Sequence, residues 1–339
     1  MALEPGSPGP QSVTSRPSAW GGLSAILDTP AKRATAIAVL LAVMVAIPLL
    51  PLDSTPYITT ILINALLYTI LALGLNIVVG YAGLLDLGYA AFFAVGAYSV
   101  GILTTTFGWT FWEALPIAIG AAIIAGIIIG GPTLRLRSDY LAIVTLGFGE
   151  IVRIAARNLQ ITGAASGIFG IEQPWLFGWH IHTQTDFYYV FLGLVIIGIL
   201  VSVRLANSRL GRAWLYVRHD EDAAEAMGID RVRVKLAAYI IGAIYGAVGG
   251  AFFAVNFTAI SPQSFSFQQS TLFLMAVILG GMGKIPGVIL GAFIVVLGPE
   301  LLRDLGSFRY LVFAVGLLLI MLLRPGGIWP AGGRLGVKR

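Results

Sequence analysis

Long apolar stretches separated by short polar segments are the main pattern along this chain. A transmembrane helix needs about 20 predominantly apolar residues, and most of the stretches approach that length. The pattern therefore predicts an all-α integral membrane protein with about ten transmembrane helices. The stretches lie at residues 35–50, 58–80, 89–105, 111–130, 141–157, 187–203, 236–257, 271–281, 287–302 and 310–323.

The stretch at residues 271–281 is the shortest. An α-helix rises only about 1.5 Å per residue, so this stretch cannot cross a bilayer alone. We expect it to be re-entrant, buried or extended by its neighbours. Ten helices divide into five and five, and an odd number in each half permits an inverted-topology repeat, which is a common plan among transporters.

The composition strengthens the membrane prediction. Hydrophobic residues make up 58% of the 339 residues and charged residues only 11%, roughly half the charged fraction of an average soluble protein. This balance excludes an ordinary soluble enzyme, a disordered chain and a nucleic-acid-binding domain. The chain has no cysteine, which excludes disulfides, thiolate metal sites and cysteine nucleophiles.

The positions of Lys and Arg predict the orientation. Most of the 21 basic residues fall before the first stretch, after the fourth and sixth stretches, and at the C-terminus. Because cytoplasmic loops carry the excess of Lys and Arg, we expect both termini in the cytoplasm. The net charge of +5 then reflects topology, and we expect no nucleic-acid partner. The predicted organisation is a flexible cytoplasmic tail at residues 1–33, a transmembrane domain at 34–330 and a cytoplasmic tail at 331–339.

Signals for catalysis or cofactor binding are weak. Residues 280–285 resemble a phosphate-binding loop, but Ile278 stands where the first glycine belongs and Ile285 where Ser or Thr would bind magnesium. The pair His180 and His182 lacks carboxylates at metal-binding spacing. We therefore expect no catalytic residue, no metal and no bound cofactor in this chain.

One long polar loop, at residues 204–235, is predicted to lie inside the cell. Its central segment has the pattern acid-Ala-Ala-x-x-x-Gly, which fits either a solvated charged helix or a helix that docks on a partner. Acidic residues 220–222 would stabilise the helix N-terminus, and the glycine would end the helix. The docking alternative would use Asp222, Ala223, Ala224, Glu225, Met227 and Gly228.

Four polar residues within the apolar stretches are candidates for a transport pathway or gate. Glu150 and Arg153 are three residues apart, so they share a helix face, either as an internal ion pair or as a pathway element. Asp86 lies in a glycine-rich break at residues 80–88 and either caps the next helix or faces a cavity. Asn76 either bonds a neighbouring helix or lines the pathway.

Gly242, Gly246 and Gly250 repeat every four residues and would leave a smooth groove along one helix face. Such grooves allow close helix packing in membranes. We expect a packing role, either within this chain or against a second chain.

Several motifs, at residues 74–98, 138–151, 280–283 and 324–328, resemble those of branched-chain amino acid ABC transporter permeases of the LivM type. The resemblance implies an all-helical subunit in a prokaryotic inner membrane. It would pair with a second permease, two cytoplasmic ATPases, and a periplasmic or lipid-anchored binding protein. The pathway would work by alternating access, and the ATPases would dock on the inner loop, where Asp222 replaces the glutamate of the general motif.

Three alternatives remain open at this level. A permease of a urea or short-amide ABC importer shares much of the same signature. An ion-coupled secondary transporter would use Glu150 or Asp86 as its coupling site and would need no docking helix. An intramembrane enzyme is the weakest, because the stretches carry no nucleophile and base at catalytic spacing.

Overall fold

The computed structural model describes residues 44–46, 48, 55–133, 138–176, 178–306, 308–324 and 326–328. The predicted first span and both predicted tails lie wholly or mostly outside these residues. The described residues from 56 onward form one compact unit. Its α-helices are α1 (Thr55–Leu75), α2 (Ala90–Thr105), α3 (Phe111–Thr133), α4 (Ser138–Asn158), α5 (Gln184–Ala206), α6 (Arg209–His219), α7 (Glu221–Ala226), α8 (Arg231–Phe257), α9 (Phe267–Gly280), α10 (Ile285–Leu301) and α11 (Phe308–Leu323).

Short strands and turns join these helices. In the segment between α4 and α5, β1 (Ile168–Phe169) pairs antiparallel with β4 (Ala259–Ile260), which follows α8, and β2 (Trp175–Leu176) pairs with β3 (Trp179–His180). Short 3₁₀ turns lie at Gln160–Thr162, Pro262–Phe265 and Arg303–Leu305. The β1–β4 pair ties the longest segment between helices to the end of α8.

The apolar stretches predicted the helices well. Four helical segments of the described residues are long and apolar enough to cross a membrane, at Pro56–Tyr81, Phe111–Thr133, Gln184–Ala206 and Arg231–Phe257. Shorter apolar helices lie at Ala90–Thr105, Phe267–Gly280, Ile285–Leu301 and Leu311–Ile320. The fold is that of a helical membrane protein, whereas the total of ten spans, the repeat and the orientation remain predictions.

Two stretches depart from an ordinary span. The stretch at 271–281 is a 14-residue helix, α9, which begins at Phe267 and is shorter than a bilayer crossing requires. Helix α4 has 21 residues but is not among the apolar spans, since it carries Glu150, Arg153 and Arg157. Its polarity distinguishes it from the other long helices.

The core forms where α8 packs against α2, α3 and the end of α1. Small residues permit the close approach: a β-carbon at Gly96 of α2 would collide with the backbone of Ala247 in α8. The outer surfaces of α3, α5 and α11 are apolar, with Ile128, Leu200 and Leu318 each more than half exposed. A water-soluble protein rarely leaves such surfaces uncovered, but lipid covers them without cost.

Candidate functional site

The polar loop between α5 and α8 folds into two helices. We call α6, α7 and the turn after them, residues 209–230, the docking module. Helix α7 begins where the acidic cluster predicted: the Asp220 carboxylate accepts hydrogen bonds from the backbone N–H groups of Asp222 and Ala223, both at 3.0 Å. The chain turns out of the helix at Gly228, whose φ of +81° favours glycine.

The residues proposed for docking divide between two faces of the docking module. Ala224 is buried, whereas Met227 is 82% exposed and Ala223 and Glu225 are also exposed. A cavity of about 600 Å³ opens beside α7 and is lined in part by Glu225 and Gly228. The expected small apolar face is therefore narrower than the sequence predicted, because Ala224 packs inward.

Ion pairs fasten the docking module to the start of α8. The buried ammonium of Lys235 lies 2.6 Å from the Glu221 carboxylate. The Arg231 guanidinium contacts both Glu225, at 3.3 Å, and Asp222, at 3.6 Å. Only the lysine side chain is buried, at 3% exposure, so loss of its carboxylate partner would leave an uncompensated buried charge.

The docking module also reaches the membrane helices through α6. Trp214 is fully buried, its indole N–H donates to the Val234 carbonyl at 2.8 Å, and its ring lies parallel to that of Tyr81. The Arg218 guanidinium donates to the carbonyl of Gly80. A side chain at Gly83 would meet the Arg218 side chain at 2.8 Å, and φ is +74° there, so both space and backbone favour glycine.

The predicted glycine-rich break is confirmed, and the helix before it departs from α-helical geometry. Helix α1 continues as a π-helical segment over Asn76–Tyr81, and the chain is irregular from there to α2. Asn76 is buried and its side-chain oxygen accepts a hydrogen bond from the Gly283 backbone at 2.8 Å. We call this meeting of Asn76, Gly80 and Gly283 the glycine junction.

Asn76 therefore bonds a neighbouring segment, as one of its two predicted roles required. Its side-chain nitrogen is buried and has no hydrogen-bonding partner among the residues that the structure describes. A role for Asn76 in the pathway stays a prediction.

Asp86 is completely buried but does not occupy the N-cap of α2. Its carboxylate accepts from the Gly88 backbone at 2.8 Å, and its other oxygen has no partner within the described part of the chain. Tyr89 occupies the N-cap, and Ser270 of α9 accepts the hydrogen bond from the Ala90 N–H at 2.8 Å. Of its two predicted roles, the capping of α2 is therefore wrong, since the Ala90 N–H bonds a residue distant in sequence. A role for Asp86 at a cavity stays a prediction.

Glu150 and Arg153 form the predicted ion pair on α4, with 2.7 Å between guanidinium and carboxylate. Glu150 lies about 12 Å along the helix from its end at Asn158. The two side chains are 32% and 24% exposed, and nearby Ile151 is 65% exposed. This chain therefore leaves the charged face of α4 partly uncovered.

The three spaced glycines of α8 contact helices of the same chain. A β-carbon at Gly242 would lie 2.5 Å from Val78, one at Gly246 would lie 2.8 Å from Phe92, and one at Gly250 would collide with the backbone of α2. The groove is therefore filled within the subunit, which decides between the two packing alternatives.

Comparison with known proteins accounts for this architecture. Residues 57–323 match the family model described as "Branched-chain amino acid transport system / permease component". The chain belongs to this permease family. It is 41% identical over 332 residues to the "High-affinity branched-chain amino acid transport system permease protein LivM" of Escherichia coli (strain K12), which covers 91% of this chain and 77% of that protein.

More distant relatives include permeases named LivM and permeases named LivH. The "Probable branched-chain amino acid transport permease protein LivM" of Methanocaldococcus jannaschii is 28% identical, covering 78% of this chain and 90% of that protein. The LivH permease of Salmonella typhimurium (strain LT2) is 23% identical, covering 77% of this chain and 90% of that protein. No solved structure matches the chain at a significant level. The chain is thus a multi-pass transport permease subunit, in agreement with the resemblance of its motifs.

The sequence missed several residues of this permease that the fold brings together. Trp214, Arg218 and Lys235 connect the docking module to the membrane helices. In the sequence, both basic residues belong to a group of cations that predicts only topology. The spacing of the basic residues along the sequence does not show which of them becomes buried.

Proposed function

We propose that this permease imports branched-chain amino acids as one of two permease chains in an ATP-driven importer of a prokaryotic inner membrane. Two cytoplasmic ATPases and a separate substrate-binding protein would complete the assembly. Support comes from the 41% identical relative, whose name states this substrate class. The LivM relative is much more similar than LivH, which favours the role of the LivM-type subunit.

The docking module is the proposed contact for an ATPase. Helix α7 presents Ala223 and Glu225 to solvent, the residue after it presents Met227, and Asp220 fixes its N-terminus. Exposed small and flexible apolar side chains on a short helix suit a groove in a partner protein. The observation that carries this proposal is the joining of an exposed helix to the membrane domain through Lys235 and Arg218.

Motion of the docking module would reach the glycine junction directly. Arg218 holds the Gly80 carbonyl, and Trp214 stacks on Tyr81, so both contacts fall on the π-helical segment. Short π-helical turns occur frequently at functional sites, because they place backbone groups outside the regular α-helical pattern. We propose that ATPase movement changes the conformation of this segment, and through Asn76 also moves the turn at Gly283.

The charged face of α4 is the proposed wall of the pathway. Ionised side chains at membrane depth face either protein or a water-filled cavity, because lipid solvates them poorly. Glu150 and Arg153 are partly exposed in the single chain. We therefore propose that the second permease covers this face and that water reaches it between the two chains.

The docking proposal can be tested with the whole assembly. Met227→Arg is expected to abolish ATP-dependent leucine uptake and co-purification of the ATPases, while the permease still inserts. Phe169→Arg, at another exposed apolar residue, is the matched control for co-purification. A secondary transporter would retain uptake in the Met227 variant.

A parallel competition assay distinguishes the amide importer. Unlabelled leucine and valine should inhibit the uptake of labelled leucine, whereas urea should not.

The pathway proposal can be tested by thiol labelling, since the chain has no cysteine. A β-carbon at Gly147 on α4 meets open space, and Ile128 on α3 is 66% exposed on an apolar face. In the membrane-embedded assembly, Gly147→Cys should react with a water-soluble maleimide and, when the maleimide carries a photoreactive group, cross-link to the second permease. Ile128→Cys should do neither, because lipid excludes the reagent. Equal labelling of both positions would contradict the proposal.

A further inference from the structure

A cavity of about 450 Å³ lies between α1, α9 and α10 and is separate from the residues discussed above. Side chains of Phe93 and Phe253, from α2 and α8, also line it. Its volume is within the range of small-molecule pockets, which run from about 300 to 1,000 Å³. The lining combines an apolar wall with a few polar side chains, as binding sites for amphipathic molecules do.

The polar end of the cavity is formed by Glu300 of α10. Its Oε1 accepts a hydrogen bond from the Tyr57 hydroxyl and lies 4.0 Å from the Arg303 guanidinium, which also stacks over the Tyr57 ring. The two contacts fall on the same oxygen, and the pairing with Arg303 is at the limit of an ion pair. A negative and a positive group therefore stand side by side at the edge of the cavity.

A backbone carbonyl adds a second hydrogen-bond acceptor near the Glu300 end of the cavity. Pro299 lies inside α10 and has no N–H, so the Val295 carbonyl four residues earlier lacks its usual helical donor. Val295 lines the cavity about one and a half helical turns before Glu300. A carboxylate and a carbonyl without its usual helical donor are acceptors that suit an ammonium group.

Helices α1 and α9 contribute a second polar group. The Tyr68 hydroxyl donates to the side-chain oxygen of Gln269 at 2.7 Å, so the amide nitrogen of Gln269 keeps its donors for another partner. Asn64 is four residues before Tyr68 and shares its helix face. These groups suit the carboxylate end of a zwitterion.

The remaining wall is aromatic and aliphatic. The ring of Phe93 lies 5.0 Å from Phe253 and 5.9 Å from Phe273, measured between centroids. Leu272 and Val296 line the same space. These side chains offer contact for an aliphatic side chain, and the hydroxyl of Ser264 is the further polar group in the lining.

We infer that this cavity binds an amino acid with an aliphatic side chain inside the membrane domain. Glu300 and the Val295 carbonyl take the ammonium group, the Gln269 amide interacts with the carboxylate, and the phenylalanine wall receives the side chain. The inference rests on the proposed import of branched-chain amino acids. It goes beyond that function by giving the permease a substrate site of its own, in addition to that of a binding protein.

The test uses the complete importer in proteoliposomes and labelled leucine. Glu300→Gln keeps the shape of the side chain and removes its charge, so the half-saturating leucine concentration should rise at least about tenfold, as expected for loss of a charged hydrogen bond. Glu172→Gln, at an exposed glutamate of the segment between α4 and α5, is the matched control and should leave it unchanged.

A second variant distinguishes loss of the binding site from misfolding of the protein. Val296→Phe narrows the cavity, so inhibition of leucine uptake by isoleucine should weaken by at least about tenfold relative to inhibition by alanine. A misfolded protein would lose uptake of all amino acids equally and could not change this ratio.

The outcomes distinguish failure of the proposed import function from failure of the cavity as a substrate site. If the unmodified importer does not transport leucine, the proposed function fails and this inference fails with it. If it transports leucine and both variants keep the wild-type saturation and selectivity, the cavity is not a substrate site and only the inference is overturned. Reduced affinity in Glu300→Gln together with altered selectivity in Val296→Phe supports it.

Discussion

The anchor between Lys235 and Glu221 gives the sharpest prediction for the docking module. Exposed ion pairs contribute about 0–1 kcal/mol, whereas removing one partner of a buried pair costs about 3–5 kcal/mol. Here the side chain of Lys235 is 3% exposed and that of Glu221 is 39% exposed. We therefore expect Glu221→Gln to destabilise the docking module by about 2–3 kcal/mol, between those two limits.

Hydrogen exchange measures this change within the assembled importer. The Ala224 N–H donates to the Asp220 carbonyl at 3.1 Å, so its exchange reports the opening of α7. A loss of about 2–3 kcal/mol corresponds to exchange that is roughly 30- to 150-fold faster. ATP-dependent uptake should fall as well, because a loosened module transmits less motion to the membrane helices.

Two further variants isolate the buried charge. Asp222→Asn removes a carboxylate from the same helical turn, but that carboxylate is 96% exposed, so protection should change by less than about 1 kcal/mol. Combining Glu221→Gln with Lys235→Met removes both partners and should recover most of the protection. If Glu221→Gln has no larger effect than Asp222→Asn, or if the double variant is as unstable as the single one, the reasoning is refuted.

Three other predictions concern the membrane helices. Gly246→Leu should reduce the yield of folded protein severely, whereas Gly193→Leu, where a β-carbon meets open space, should not; equal yields would contradict the packing assignment. Glu150→Gln leaves Arg153 without its carboxylate partner, so yield or uptake should fall, and normal values of both would refute the ion-pair argument. Arg218→Ala should keep the ATPase rate of the assembly within about twofold while uptake falls by at least about tenfold, as loss of a charged hydrogen bond implies; parallel loss of both activities would argue against a coupling role.

The helices were predictable because their signal is local. A membrane helix satisfies its backbone hydrogen bonds within one segment and requires only a sufficiently long apolar stretch. The same reason explains why the N-terminus of α7 at Asp220, its end at Gly228 and the pair of Glu150 and Arg153 followed from spacing alone. In each case the interacting groups lie within a few residues of one another.

Predictions that needed distant partners were incomplete or wrong. Asp86 was a reasonable cap for α2, but the Ala90 N–H at the start of this helix donates to Ser270, 180 residues away. The contact from Arg218 to Gly80 joins residues 138 apart. Neither pairing has a sequence pattern, because many polar residues are free to occupy a helix end and many cations lie in the same loop.

Patterning along the chain was sufficient to establish a helical membrane protein, its helix-breaking glycines and its family resemblance. Folding was required to bury Lys235 while leaving Arg231 half-exposed, to fill the groove of Gly246 from α2, and to assemble the cavity beside Glu300. Helical periodicity fixes which residues share a face of one helix. Which face meets which neighbour depends on the simultaneous packing of all helices, and that packing assigns each charge to protein, water or lipid.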